Sequence, residues 1–166
     1  MIRKCQVNDT QRMYFIINEA AKAYDGIIPV DRYHQPYMPM NELEGEMKRV
    51  TFFGWEVNGA LVGLMGIEPI KDVTLIRHAY VLPHWQRQGI ASKLLNHLKR
   101  LVTTSRLLVG TWADVRWVIA FYQKHGFSLL ADKDELLKTY WDIPQRQIKT
   151  SVVLGINIKQ DVKELL

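Results

Sequence analysis

The sequence predicts an α/β protein built on a mixed, partly antiparallel sheet. Three observations carry this. Asn58-Gly59 separates two apolar, β-prone runs, Thr51–Val57 and residues 60–67, and both turn residues accept the positive φ of a type I′ hairpin. The strand-like run Val73–Val81 is followed by Ile90, Leu94, Leu95, Leu98 and Leu101 at helical spacing, so a strand-to-helix crossover occurs as well as a hairpin. Finally, 166 residues that are 48% hydrophobic and 23% charged describe an ordinary globular chain, able to bury a sizeable core and far from the composition of disorder.

Each element follows from local chemistry. Residues 2–7 read as a short strand, and Asp9-Thr10 are helix-capping types. Met13, Ile16, Ile17, Ala20 and Tyr24 then recur on one helical face, which Gly26 ends. Residues 26–40 carry three prolines and read as a long loop, a length often tied to function. Residues 41–49 suit a short acidic helix. After the hairpin and the strand Val73–Val81, which Pro83 stops, comes the amphipathic helix from Gly89-Ile90. Residues 107–111 form a strand, and Asp114 can cap a helix running to His125. Gly126 followed by Phe127 has the composition of a Schellman stop. Residues 127–130 predict a strand, 134–141 a short helix before Pro144, and 150–158 a last strand. One domain is expected over residues 1–158, with a polar tail at 159–166.

Composition excludes several classes. Cys5 is the single cysteine and closes no intramolecular disulfide, and no Cys/His spacing of a zinc site occurs, so no metal is expected. No signal-peptide pattern or membrane-length apolar run appears, and the cytoplasm is the expected compartment. The net charge is +5, yet six basic residues and no acid lie between residues 73 and 113, leaving the rest of the chain near neutrality. The excess is therefore local and favours an anion there over general attraction to nucleic acid or membrane.

The centre of that acid-free segment is Gln86-Arg87-Gln88-Gly89-Ile90-Ala91, between a strand and a helix. Small residues let a ligand approach the backbone, and the N–H groups of a first helical turn point outward at it. It is neither a Walker A loop nor the G-x-G-x-x-G fingerprint. Here the chain resembles the GNAT family of N-acetyltransferases, whose pyrophosphate loop reads Q/R-x-x-G-x-G/A; Gln86, Gly89 and Ala91 fit it. A second signature of that family, Phe-Tyr followed by Gly-Phe, stands as Phe121-Tyr122 and Gly126-Phe127. The chain departs from similar proteins at Val115 and Val118, where an Asn that holds the pantetheine arm and a small Ala are common.

The resemblance implies a largely antiparallel central sheet with helices on both faces, and acetyl-coenzyme A as cosubstrate. It places the pyrophosphate on Arg87, Gln88, Gly89, Ile90 and Ala91, the pantetheine along Val73–Val81, and the thioester carbonyl at the Val81 N–H. Tyr122 matches the position that commonly protonates the departing thiolate. In similar enzymes the base projects from the fourth strand, but those positions hold Leu75 and Arg77, which cannot serve. His78 is the titratable neighbour, although strand alternation sends it to the opposite face from Arg77. Glu68 and His34 are weaker alternatives.

Tyr33, His34, Tyr37 and Met38 occupy the acceptor-side loop of the family and are expected to bind the acceptor. Glu42, Glu44 and Glu46 read as a solvated helix face, with attraction of a cationic amine as the alternative, and Trp112, Trp117, Tyr140 and Trp141 as core or pocket packing. The expected activity is acetyl transfer to a primary amine, in a small molecule or a peptide. No nucleic acid or membrane partner is expected, and a homodimer is allowed. A CoA-binding module without transferase activity is the alternative, and a basic nucleic-acid binder is the less favoured one.

Overall fold

The computed structural model describes residues 1–158. Its fold is mixed α/β, with seven strands among the described residues, mostly antiparallel, and the chain divides into two compact units. The first comprises Met1–Glu68 and Ile76–Arg100; the second comprises Pro69–Leu75 and, of the described residues, those from Leu101 to Ile158.

β1 (Ile2–Lys4), β2 (Thr51–Val57), β3 (Ala60–Ile70) and β4 (Val73–Val81) are neighbours in that order, and all of them but the end of β3 and the start of β4 belongs to the first unit. β1 and β3 both pair antiparallel with β2. The hairpin forms as its turn residues require, with φ of 50° at Asn58 and 81° at Gly59 and with Val57 opposite Ala60. Residues 61–68 of β3 are buried without interruption, so this strand is covered on both faces and shows no alternation.

β1 ends at Lys4, earlier than predicted, because Asp9 is used differently. Its carboxylate accepts the Gln6 N–H at 2.7 Å and two guanidinium N–H groups of Arg3 at 2.8 Å each. It thereby closes a 3₁₀ turn, Val7–Asp9, and does not cap α1 (Thr10–Ala21) with its side chain. The apolar face of α1, Met13, Ile16, Ile17 and Ala20, is buried as its spacing demands. α2 spans Met40–Glu46, and α3 (Ile90–Leu101) buries Ile90, Leu94, Leu95 and Leu98. Full burial of such side chains is worth about 1.5–3 kcal/mol each, so packing more than intrinsic propensity holds α3.

In the second unit β5 (Arg106–Trp112), β7 (Ser151–Asn157) and β6 (Ser128–Leu129) lie in the order β5-β7-β6, both pairs antiparallel. Val73 and Leu75, at the start of β4, pack with Leu108, Leu137, Tyr140 and Val153 into its core. α4 spans Arg116–Lys124 and starts without a side-chain cap, so Asp114 does not play the predicted role. Its other end is a Schellman stop: Phe127 N–H reaches Tyr122 O at 3.0 Å, Gly126 N–H reaches Gln123 O at 3.0 Å, and Gly126 has φ of 91°. α5 (Lys133–Tyr140) is followed by α6 (Gln145–Lys149), a short helix that the sequence did not signal. Pro144 ends the first segment and leads into the second, where its missing N–H costs nothing. The Lys133 ammonium donates to Ile148 O at 2.6 Å and Ser151 O at 2.7 Å, tying α5 to the start of β7. The expected polar tail lies outside the described residues.

Candidate functional site

The turn between β4 and α3 opens with a 3₁₀ turn, Pro83–Trp85, and then takes two left-handed residues, Arg87 at φ 62° and Gly89 at φ 80°. Left-handed backbone is unfavourable for a side-chain-bearing residue, and Gly89 removes that penalty at the second position. A Cβ on Gly89 would meet no protein atom within 4 Å, so the glycine is not there to relieve packing inside the fold. The first helical hydrogen bond runs from Lys93 N–H to Gly89 O at 3.0 Å. The N–H groups of Ile90 and Ala91 precede that bond and have no carbonyl one turn back in the helix. Residues 86–89 are exposed, while the Gln86 amide anchors the turn by donating to Val81 O at 2.9 Å. Gly63 of β3 lies beneath: a Cβ there would come within 3.1 Å of Val81 and 3.2 Å of Ile90. Lys93 sits with its ammonium 4.9 Å from the centre of the Trp55 ring.

A second group of residues runs from the loop 26–40 to the end of β4. Tyr33 stacks with Tyr37 at 6.4 Å between ring centres, Tyr37 meets Tyr24 edge-on at 5.4 Å, and Tyr24 lies 6.3 Å from Tyr80. Burial pushes the Tyr24 phenol well above its ordinary pKa, against the opposing hydrogen bond with Tyr80. Tyr80 immediately precedes Val81, so aromatic contacts link the loop 26–40 to the residue at which the resemblance places the thioester. His34 lies exposed on this loop, its Nδ1 2.7 Å from Pro36 O. Met38 is buried and takes no part in such a wall; its N–H donates to Asn18 Oδ1 at 2.8 Å.

The third group is ionic and buried. Glu46 of α2 and Glu68 of β3 are only 7% and 6% exposed. The Arg77 guanidinium bridges them, 3.0 Å from Glu68 Oε1 and 3.4 Å from Glu46 Oε2, while Arg49 reaches Glu46 at 2.7 Å and Glu68 at 3.6 Å. His78 Nε2 lies 3.0 Å from Glu46 Oε2, and its ring stacks on Phe52. Burial alone would raise the Glu46 carboxyl, but the His78 hydrogen bond and the cations Arg77 and Arg49 hold it down at about 2. An ionised carboxylate only accepts, so Nε2 is the donor and the lone pair of a neutral His78 ring sits on Nδ1.

The expectation that His78 points away from Arg77 fails here. His78 has φ of 57°, which interrupts the pleat inside β4, and both side chains reach Glu46 Oε2. Glu46 likewise is not on a solvated face. It lies three residues after buried Leu43, one helical turn along the inward side, whereas Glu42 and Glu44 are exposed. That i, i+3 spacing was available in the sequence. Tyr80, in contrast, gave no signal above an ordinary strand residue.

Tyr122, in the second unit, is 2% exposed and packs its ring against Phe121 at 5.1 Å and Phe127 at 5.2 Å. The Phe-Tyr and Gly-Phe pairs thus also have a structural task, since Tyr122 and Phe127 are the two residues whose contact accompanies a Schellman stop. Val115 is fully buried and Trp117 is exposed, so Trp117 is not the packing residue expected. Among the described residues no cluster of three or more His, Cys, Asp or Glu could hold a metal ion, and no helix is long and apolar enough to cross a membrane.

These features coincide with a known family. The model of the acetyltransferase (GNAT) family matches residues 12–127, from α1 to the end of the Schellman stop, and the chain belongs to that family. Among solved structures, the chain is similar to the ribosomal-protein-S18-alanine N-acetyltransferase of Escherichia coli at 17% identity and a TM-score of 0.71, covering 97% of this chain and 95% of that one. It is also similar to the PaiA N-acetyltransferase of Thermoplasma acidophilum, at 16% identity, TM-score 0.70, and 95% and 98% coverage. A third, yncA of Salmonella typhimurium, has 18% identity, TM-score 0.67, and 97% and 95% coverage. Comparison with curated protein sequences finds no match.

Proposed function

We propose that the protein is an acetyl-CoA-dependent N-acetyltransferase acting on a primary amine of a small molecule or a peptide. The observation that carries this is the turn at residues 86–91: exposed over residues 86–89, left-handed at Arg87 and Gly89, at the start of α3 and in the middle of an acid-free segment. Family membership supports it, as do the Thermoplasma structure in complex with coenzyme A and the Salmonella structure with acetyl-CoA. The residues present fit such a group, because Gly89 faces open space where a side chain would otherwise stand and the adjoining amides face outward.

When bound, acetyl-CoA supplies a thioester carbonyl carbon that an amine nitrogen attacks while the C–S bond breaks. The N–H groups of residues 87–91 would hold the pyrophosphate, with Gln86 fixing the turn against Val81 O. The Val81 N–H would donate to the carbonyl oxygen as negative charge develops there. Nδ1 of His78, with the ring oriented by Glu46, would take the amine's proton, and the Tyr122 phenol would give one to the departing sulfur. Tyr33, His34 and Tyr37 would form the acceptor side. The role of Tyr122 rests on the resemblance, and that of His78 on its contact with Glu46.

A second reading has its own support. Glu46 and Glu68 are both engaged by arginines, and no carboxylate projects from β4, as expected of a module that binds CoA without turning it over. Continuous measurement of free thiol with acetyl-CoA and a broad panel of primary amines separates the two. Transfer predicts thiol release that depends on one or more amines and a product heavier by one acetyl group. Tight CoA binding with no amine-dependent release would establish the binding module instead.

A further inference from the structure

Arg32 closes the 3₁₀ turn Val30–Arg32, in the same loop as Tyr33, His34 and Tyr37. Its Nε and Nη2 are shielded from solvent and have no hydrogen-bond partner, and among the described residues they are the only buried side-chain nitrogens or oxygens in that state. A guanidinium cannot shed its charge, so its buried N–H groups lose their hydration with nothing in return. The buried carboxylates described above are matched, by contrast: Glu46 by Arg77, Arg49 and His78, and Glu68 by Arg77 and Arg49. An exception at a single side chain, when the other buried side-chain nitrogens and oxygens among the described residues have partners, points to a missing counter-group.

The two atoms also state what that group is. Nε and Nη2 lie on one edge of the guanidinium, and their N–H bonds project side by side in the fork that accepts two oxygens of a carboxylate or phosphate. A two-oxygen anion gives each N–H its own acceptor and neutralises the charge, which a single carbonyl or water oxygen does not. Tyr33, the next residue in the chain, opens a row of ring contacts, Tyr33–Tyr37, Tyr37–Tyr24 and Tyr24–Tyr80, that leads to the residue before Val81.

We propose that Arg32 is an acceptor-binding residue and that the acceptor is an amine carrying a carboxylate or phosphate, bound through that anion by Nε and Nη2 of Arg32. This rests on the transferase reading above. The acceptor is then zwitterionic, its anion at Arg32 and its amine at the Val81 end of the tyrosine row, and simple cationic amines are poor substrates. The guanidinium is kept for this contact at a cost in stability.

Matched pairs test it. The wild type and Arg32→Met are assayed for thiol release from acetyl-CoA with each amino acid and its carboxamide, and with phosphoethanolamine and ethanolamine. The wild type is expected to prefer the anionic member of at least one pair at least tenfold in kcat/KM, and the pair identifies whether carboxylate or phosphate is the anion. Arg32→Met should reduce that preference to within about twofold through KM while leaving acetyl-CoA affinity unchanged, since a bidentate pair of charge-assisted bonds is lost. Without acceptor, Arg32→Met should melt at or above the wild-type temperature. Equal use of anionic and neutral members, a variant that keeps the preference, or a variant that melts several degrees lower would each overturn the proposal. If no amine of either kind is acetylated, the transferase reading falls and the proposal with it, whereas acetylation without preference for the anion sinks the proposal alone.

Discussion

Gly89 is the residue on which the loop depends. At φ 80° any side-chain-bearing substitute pays about 1–2 kcal/mol of backbone strain, and a large one also fills the open space above the turn. Gly89→Val is therefore expected to fold, melting a few degrees lower, yet to bind acetyl-CoA at least about 30-fold more weakly by calorimetry, because two or more amide contacts to phosphate are displaced. Tyr122→Phe keeps the ring contacts with Phe121 and Phe127 and removes one hydroxyl. If that hydroxyl protonates the thiolate, kcat should fall by about 10²-fold or more with the KM for acetyl-CoA little changed; unchanged kcat would leave Tyr122 its structural task alone. Cys5 makes a simpler case. Burial pushes its thiol up to about 12, so maleimide labelling at pH 8 should be slow in the native protein and fast in denaturant.

How much of this was legible differs residue by residue. Gln86, Gly89 and Ala91 could be picked out because backbone chemistry, a turn followed by a helix start, is written in adjacent residues. Glu46, Arg77 and His78 could not be joined, because the pleat is broken by a left-handed His78, and nothing in VTLIRHAYV announces that break. Arg32 was invisible for a different reason: its interest lies in lacking a partner, and partnership is a property of the folded state.

At the scale of elements, the hairpin, β4 and α3 were predicted within a residue or two at most boundaries, since each has a strong period or a turn with one solution. The misplaced ends lie where a side chain chose an unforeseen partner, as Asp9 chose Arg3 and the Gln6 amide. α2 shows what such elements hold together. Its Glu46 joins β4 through Arg77 and His78, and removing one member of a buried ionic group strands the others. Glu46→Gln should cost about 3 kcal/mol in urea unfolding. Because the Glu46 carboxyl is depressed from 4.5 to about 2, its contribution is complete above pH 4.5 and is lost as the pH falls toward 2. The variant should therefore lose less stability than the wild type across that window. A parallel loss in both would show that Glu46 does not carry the acid sensitivity.

For the whole molecule, the net charge of +5 first suggested any polyanion, but the charge is concentrated in residues 73–113 around the turn at residues 86–91, which we propose holds a phosphate. Family membership and the fold place that turn in an acetyltransferase framework, so the basic balance is the sequence-level trace of a nucleotide-bearing cosubstrate. Titrating coenzyme A and pantetheine, which lacks the pyrophosphate and nucleotide, into the wild type and Gly89→Val tests this most directly. The account predicts that the wild type binds coenzyme A at least about a hundredfold more tightly than pantetheine, as two or more charge-assisted hydrogen bonds imply, and that Gly89→Val largely abolishes the difference. Equal affinity of the wild type for both, or a full preference retained in Gly89→Val, would contradict it.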